Sequence, residues 1–349
     1  MLTLIICIGL IIIILFLIKK WVRGGVCKNK HDMTGQFIII TGASSGLGKI
    51  SSLDLINHNA KVIFACRTES KANEVIKIIP ENLRKNAEFI KIDLSSFSTI
   101  KSFADNIKSN YPKIDILMNN AGLHPTNYKI TEDNLESFIE GNYIGAFYLT
   151  TLLLPHMNDK GRIINLSSIG HYLAKIKLGD IKNFTDNEYM KKRFFGGLFP
   201  MIDLYGDTKL FMMYLTQYLS IFFEKKYKNL KCVCLHPGVV NTDFFERIAR
   251  DYPNIQLLYK IVKWGFQFFG KTPIEGAQTQ LHLCYAPWEE LISGEYYADC
   301  KRINPFNIGK NQDIRNEVID WTIELLKKYF PDDDCVKELK TFKEIKTIN

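Results

Sequence analysis

The chain has 349 residues, 46% of them hydrophobic, which excludes a disordered or fibrous protein and leaves room for one α/β domain of roughly 250 to 300 residues plus appendages. Its net charge of +8 gathers in part at Lys19, Lys20, Arg23, Lys28 and Lys30 beside an apolar run, which points to anionic lipid; with no zinc-knuckle spacing and no arginine-rich arm, no nucleic-acid partner is expected. Eight scattered cysteines without a C-x-x-C pair argue against a disulfide scaffold, predict reduced thiols in a cytosol-facing domain and give no reason to expect a metal.

Residues 2–18 are almost wholly apolar, with Thr3 the one clearly polar side chain. At about 1.5 Å per residue, such a helix reaches the lower limit for crossing a bilayer core. Lys19, Lys20, Trp21 and Arg23 follow at once as interfacial anchors, and positive charge on the cytoplasmic side predicts a cytosolic catalytic domain. The alternative is a cleaved signal peptide. Against it stand the uncharged start, the long apolar run and the missing A-x-A site. The expected organisation is a transmembrane anchor at 1–20, a basic juxtamembrane linker at 21–35, a single domain at 36–330 and a C-terminal tail at 331–349. Of two sequons, Asn165 falls in a predicted core strand and is expected to stay unmodified, while Asn183 is the second.

Apolar β-branched runs then alternate with helical patterns. Strands are predicted at 37–40, 61–65, 88–92, 114–118, 162–166, 231–235 and 294–298, with one helix from about 204 to 224. The expectation is a doubly wound, Rossmann-type α/β fold with a seven-stranded parallel sheet, binding ligand beyond the carboxyl ends of its strands.

The first strand runs into Thr41-Gly42-Ala43-Ser44-Ser45-Gly46-Leu47-Gly48, a strand–turn–helix context that suits a dinucleotide. Gly42 permits the tight turn, Gly46 lets a pyrophosphate approach the backbone, and Gly48 lets helix pack on strand. Ser44, Ser45 and Leu47 complete the expected cradle; the bland alternative is an ordinary glycine-rich loop. The second strand ends Ala65-Cys66-Arg67, with no carboxylate for a ribose 2′-hydroxyl. The planar Arg67 fork suits a 2′-phosphate instead, so NADP(H) is the expected cofactor, with a solvated surface arginine as the alternative. Asp93, with Leu94, is expected beside the adenine, or else Asp93 caps the next helix with Ser95 or Ser96.

Asn119-Asn120-Ala121-Gly122 follows the fourth strand. The asparagines can tie strand ends together, Asn120, Ala121 and Gly122 are expected on the cofactor side, and the bland reading is a turn. Asn165-Leu166-Ser167-Ser168 ends the fifth strand and offers Ser168 to a substrate carbonyl. Tyr205 and Lys209 stand four apart and share one helix face. The ammonium is expected to outweigh burial and lower the phenol's pKa; a solvated helix pair is the alternative. His236-Pro237-Gly238-Val239-Val240-Asn241-Thr242 ends the sixth strand, where the Val240 backbone and the Thr242 hydroxyl can meet a carboxamide. His236 reads as a packed strand-end histidine. Residues 244–270 mix large apolar groups with Arg247, Arg250, Lys260 and Lys263. They suit a lid over the substrate, an amphipathic helix on a bilayer, or a helix packed on the core.

With T-G-x-x-x-G-x-G, N-N-A-G, the strand-end serine, Y-x-x-x-K and P-G in this order, the chain resembles the short-chain dehydrogenase/reductase family over residues 36–301. Within it, Ala65-Cys66-Arg67, Lys271-Thr272-Pro273, Glu275-Gly276-Ala277-Gln278 and Ser293-Gly294-Glu295-Tyr296-Tyr297 make it most similar to the microsomal, NADP-preferring retinol dehydrogenases. That resemblance implies an NADP(H)-dependent oxidoreductase of the endoplasmic reticulum membrane that interconverts a lipophilic carbonyl and its alcohol, with retinal favoured over a steroid ketone or fatty aldehyde. It implies Asn142 as the holder of a relay water, Ser168 as the substrate-orienting hydroxyl, Tyr205 as acid/base and Lys209 as its partner. A catalytically idle NADP(H)-binding scaffold is the reading of another class, and the intact Asn142, Ser168, Tyr205 and Lys209 argue against it. Thr208 departs from the branch's usual serine. Ser168 and Tyr205 stand 37 positions apart, a longer interval than usual, so an insert at about 171–203 is expected on the substrate side. Oligomeric state has no signal in the sequence.

Overall fold

The computed structural model describes residues 2–123, 127–196, 201–241, 265, 270–305 and 307–347. Its strands are β1 (Phe37–Thr41), β2 (Lys61–Cys66), β3 (Ala87–Lys91), β4 (Ile114–Asn119), β5 (Met157–Leu166), β6 (Lys231–Leu235), β7 (Tyr296–Ala298) and β8 (Lys301–Ile303). They form one sheet in the order β3-β2-β1-β4-β5-β6-β7-β8. The order reverses beside β1, which opens a crevice between the ends of β1 and β4, where a doubly wound sheet receives its ligand.

Side chains alternate across the sheet as period two requires. Ile39 and Ile63 join the core on one face, while Ile38, Ile40, Val62 and Phe64 join the core on the other. The longer helices are α1 (Leu2–Arg23), α2 (Gly46–Asn57), α3 (Glu69–Lys77), α4 (Phe97–Asn110), α5 (Gly145–Leu153), α6 (Asn187–Phe195), α7 (Ile202–Lys225), α8 (Gln278–Tyr285) and α9 (Gln312–Tyr329).

The sheet has eight strands where seven parallel ones were expected. Strands β1 to β7 pair in parallel and β8 adds an antiparallel edge. The two-residue turn Asp299–Cys300 joining β7 to β8 has positive φ at both positions, 51° and 58°. Such turns normally announce themselves by Asn-Gly or Asp-Gly, so Asp-Cys followed by Lys-Arg-Ile carried no hairpin signal.

The contacts around that turn explain its conformation. Gly24, at φ +71°, and Gly25 pass so close that a Cβ on either would lie 2.0 Å from an Asp299 oxygen. Lys271, almost fully buried, forms an ion pair with Asp299. The Cys27 amide donates to Gln278 Oε1 at 3.0 Å, and the Met33 amide donates to the His58 carbonyl at 2.6 Å. Both Cys27 and Met33 are buried. Arg23, in the last turn of α1, meets Glu275 at 3.2 Å.

Helix α1 has 22 residues, a length of about 33 Å. Among the described residues no helix is long and apolar enough to cross a membrane; the side chains of residues 1–6, 8, 9, 11, 12 and 21 lie outside that set.

Candidate active site

The glycine turn is held by the ends of β1 and β4. Thr41 Oγ1 accepts from the Asn120 and Ala121 amides at 3.0 and 2.9 Å, and Asn120 Nδ2 donates to the Thr41 carbonyl at 2.8 Å. Gly42 and Gly46 take φ of +68° and +52°, the left-handed region open to glycine. A Cβ on Gly48 would lie 2.5 Å from both Gly42 O and Asn120 Nδ2, so only glycine lets α2 sit this near β1. Ser45 caps α2 without a side-chain hydrogen bond, which leaves the first-turn N–H groups for an anion. The Ser44 hydroxyl is engaged with the Cys66 thiol. Leu47 packs near Val240: a Cβ on Gly276 would touch both, at 3.0 Å and 2.6 Å. This cradle fits a dinucleotide pyrophosphate.

Arg67, directly after β2, reaches Asp93 at 3.9 Å and its side chain stays more than half exposed. Asp93 Oδ1 accepts from the Ser95 amide and hydroxyl at 3.0 and 2.7 Å, while Ser96 is the N-cap of α4. Leu94 is buried in the core, its carbonyl against Gly145, an arrangement of packing.

The asparagine ladder expected at the strand ends is present. Asn119 Nδ2 donates to Asn165 Oδ1 at 2.8 Å, and Asn165 Nδ2 donates to Thr216 Oγ1 at 2.9 Å, tying β4, β5 and α7. Asn165 is fully buried. Gly122 lies beside Lys209 Nζ and Asn142 Oδ1: a Cβ there would be 3.5 and 3.9 Å away. Asn142 Oδ1 accepts from the Leu123 amide at 2.5 Å and its Nδ2 donates to the Leu123 carbonyl at 3.2 Å, so the side chain holds the loop after Gly122.

Ser168 and Tyr205, far apart in sequence, are hydrogen-bond partners. Two glycines permit it. A Cβ on Gly170 would lie 2.7 Å from the Tyr205 ring, and one on Gly206 would lie 2.6 Å from the Ala174 amide nitrogen. Lys209 Nζ lies 5.8 Å from the Tyr205 ring centre and donates to the Leu166 carbonyl at 3.2 Å. The expectation that Lys209 lowers the phenol's pKa is reversed. Burial raises the Tyr205 phenol above its ordinary value, and the Ser168 hydroxyl pulls it partly back. Burial also lowers the Lys209 ammonium, to about 8. Loss of water on burial is the largest cause of both shifts. A phenol held protonated is the state an acid needs for carbonyl reduction.

His236 is partly buried just past its strand end and accepts from the Gly238 amide at 3.0 Å; burial pushes its pKa down to about 4, so it is a neutral packed histidine. The Val240 segment pairs in parallel with Lys271, the Lys271 amide donating to Val239 O and the Asn241 amide to Lys271 O, each at 2.8 Å. Thr242 and all of 244–270 except Gly265 and Gly270 lie outside the described residues. Sequence reading missed Thr41, signalled only by the T of the T-G motif, and Asp207 with Arg193, for which no motif exists.

Asn142 stands in a π-turn, Glu140–Ile144, and Glu140 is fully buried with no well-formed hydrogen bond to either carboxylate oxygen. Burial raises its pKa to about 9, with Thr131 pulling down and Asp133 and Asp93 adding to the rise. The folded chain therefore keeps a proton that the unfolded chain releases near 4.5. Stability from this group is complete below that pH and is lost as pH rises towards about 9, at up to ~1.4 kcal/mol per unit. Glu140→Gln is expected to melt above the wild type at pH 8, by a margin that shrinks towards pH 5 in scanning calorimetry. A margin independent of pH would show that Glu140 titrates normally.

A family model described as short chain dehydrogenase matches residues 36–175. Retinol dehydrogenase 12 of Mus musculus is 31% identical over 312 residues, covering 88% of this chain and 92% of its own. Retinol dehydrogenase 14 of Homo sapiens is 33% identical over 302 residues, covering 81% and 83%. Among solved structures, an uncharacterized protein from Mycobacterium paratuberculosis superposes with a TM-score of 0.66 at 22% identity, over 87% of this chain and 98% of that one. L-Sorbose reductase from Gluconobacter frateurii, solved with NADPH and L-sorbose, superposes with a TM-score of 0.58 at 18% identity, over 76% and 95%. At these identities, the solved structures establish the fold.

Proposed function

Because this chain belongs to the short-chain dehydrogenase/reductase family and is an oxidoreductase, we propose that it reduces a lipophilic aldehyde or ketone with NADPH while anchored by α1. The observation that supports this reading is the meeting of Ser168 with Tyr205, and of Lys209 with the Tyr205 ring and Gly122. A bound NADPH supplies the hydride. The Tyr205 hydroxyl donates its proton to the carbonyl oxygen, and the Ser168 hydroxyl donates a hydrogen bond to the same atom as charge builds there. Lys209 donates to ribose hydroxyls and keeps positive potential near the phenol. Asn142 holds the 121–123 loop and is the proposed site of a relay water.

The apolar surroundings favour a lipophilic substrate. Ile169, Tyr172 and Leu173, directly after Ser168, are 39%, 43% and 48% exposed. The relatives named retinol dehydrogenase make retinal the first candidate. The apolar sequence of α1 and the cations at its end favour a membrane anchor, with the endoplasmic reticulum as the proposed site and the catalytic domain in the cytosol. Purified enzyme in detergent, given NADPH with all-trans-retinal, a steroid ketone or a long-chain aldehyde, is expected to consume NADPH most efficiently with retinal. Consumption with none of the three would overturn the reading.

Cofactor choice is separately testable. Arg67 directly follows β2 with its side chain more than half exposed and only a long 3.9 Å ion pair to Asp93, and L-sorbose reductase was solved with NADPH. NADPH is expected to bind more tightly than NADH, and Arg67→Ala to erase most of the difference. One charge-assisted contact of ~1.5 to 3 kcal/mol corresponds to ~10- to 150-fold in Kd. Equal wild-type affinities in a fluorescence titration would rule Arg67 out as a 2′-phosphate ligand.

A further inference from the structure

We infer that Asp207 is a positioning residue for proton transfer, a carboxylate that fastens the 171–203 insert and the loop after Ser168 to the back of the catalytic helix. The inference rests on the proposed roles of Ser168, Tyr205 and Lys209. On α7, Asp207 is two residues from each of Tyr205 and Lys209, so it points about 200° round the helix from both. It touches no ligand site and is completely buried.

Two segments converge on this one side chain. Its Oδ1 accepts from the Lys175 and Ile176 amides at 2.9 and 3.0 Å, closing the loop that begins at Ser168. Its Oδ2 accepts from Arg193 Nε at 2.6 Å, and Arg193 Nη2 lies 2.5 Å from the same oxygen. Arg193 belongs to α6 in the insert, is itself nearly buried, and stacks 5.3 Å above the Phe184 ring. Asp180 at 3.9 Å and the Tyr189 hydroxyl at 3.4 Å are the other polar groups around the guanidinium.

The consequence concerns distance. Gly170 and Gly206 allow the Ser168 loop to lie against the start of α7, but permission is not attachment. The Asp207 carboxylate supplies the attachment, and Arg193 supplies a counter-charge that partly offsets the rise in its pKa, to about 6, caused by burial. With the link intact, Ser168 and Tyr205 are held as partners before substrate arrives. Without it, the Ser168 loop and the insert are free to shift against the helix that carries Tyr205.

The test uses the full-length enzyme and four variants: Asp207→Ala, Asp207→Asn, Arg193→Met and the double variant Asp207→Asn/Arg193→Met. All rates are normalised to NADPH-binding sites, so that a loss of folded protein does not register. The expected result for Asp207→Ala and Arg193→Met is a fall in kcat of ~10- to 100-fold on all-trans-retinal or decanal, with KM for NADPH close to wild type. The double variant keeps the carbonyl that caps Lys175 and Ile176 and holds no unpaired charge, so it is expected to recover much of what Arg193→Met loses. Hydrogen exchange is expected to quicken at Lys175 and Ile176 in Asp207→Ala while peptides of the glycine turn stay as in wild type. If Arg193→Met does not fold, Asp207→Asn, which keeps the shape and both backbone bonds, takes its place in the comparison. Per-site kcat within about twofold of wild type in Asp207→Ala would overturn the inference, as would unchanged exchange at Lys175 and Ile176. A wild type inert towards both carbonyls would count against the proposed function, and the exchange result would then decide the attachment by itself.

Discussion

Tyr205→Phe is expected to fold, to bind NADPH as the wild type does, and to lose turnover by at least ~10² to 10⁴-fold, the usual worth of general acid catalysis. The substitution removes one oxygen from a ring that packs against Gly170 and Phe138, so its packing survives. What goes is the proton donor. Hydride addition leaves negative charge on the carbonyl oxygen, and within the described site the Tyr205 hydroxyl is the acid paired with Ser168. Ser168 can still donate a hydrogen bond but would have to give up its own proton, which is a much poorer acid. Single-turnover rates with NADPH in excess, beside a titration of NADPH affinity, separate the two steps. Turnover near the wild-type rate would mean that Tyr205 and Lys209 are a helix-surface pair with no part in proton transfer.

Lys209→Ala is expected to damage binding and chemistry together. The ammonium is almost fully buried and donates to the Leu166 carbonyl, and an ammonium carries two further donors that suit ribose hydroxyls. Loss of a charged hydrogen-bond partner of ~1.5 to 3 kcal/mol gives ~10- to 150-fold weaker NADPH binding. A similar further loss in kcat is expected as the phenol loses its neighbouring positive charge. Because burial lowers Lys209 to about 8, kcat/KM of the wild type should decline as pH rises past that value, as the ammonium empties. A Lys209→Ala enzyme with normal kcat at saturating NADPH would confine Lys209 to cofactor binding.

The motifs that carry chemistry were readable because each is local. Gly42, Gly46 and Gly48 are set by close backbone approach within a single strand–turn–helix unit, and Tyr205 with Lys209 by one helical turn. The doubly wound, largely parallel sheet followed from alternating β and α runs, and the tying of strand ends from Asn119 and Asn120. What stayed hidden depends on contacts between distant segments. Asp207 reads as an ordinary helix residue until Arg193 and the 175–176 backbone arrive beside it. The pKa of Tyr205 went the other way because the phenol's desolvation, which no spacing reports, is the largest influence on it and is only partly offset by the Ser168 hydroxyl. Strand β8 was hidden by a turn whose positive φ angles are enforced by neighbours.

That turn also bears on how motion travels through the molecule. Gly24 and Gly25 rest on Asp299 with no room for even a methyl group, and Asp299 is clamped by Lys271, whose backbone pairs with the strand of Val240. A loose tether would let the domain swivel and would damp whatever α1 does. Here helix, hairpin tip and strand-end loop form a stiff linkage. A tilt of α1 is therefore expected to press on the hairpin tip and, through Lys271, on the Val239–Val240 backbone. Any substitute for the first 23 residues must enter through the same two glycines or break the linkage.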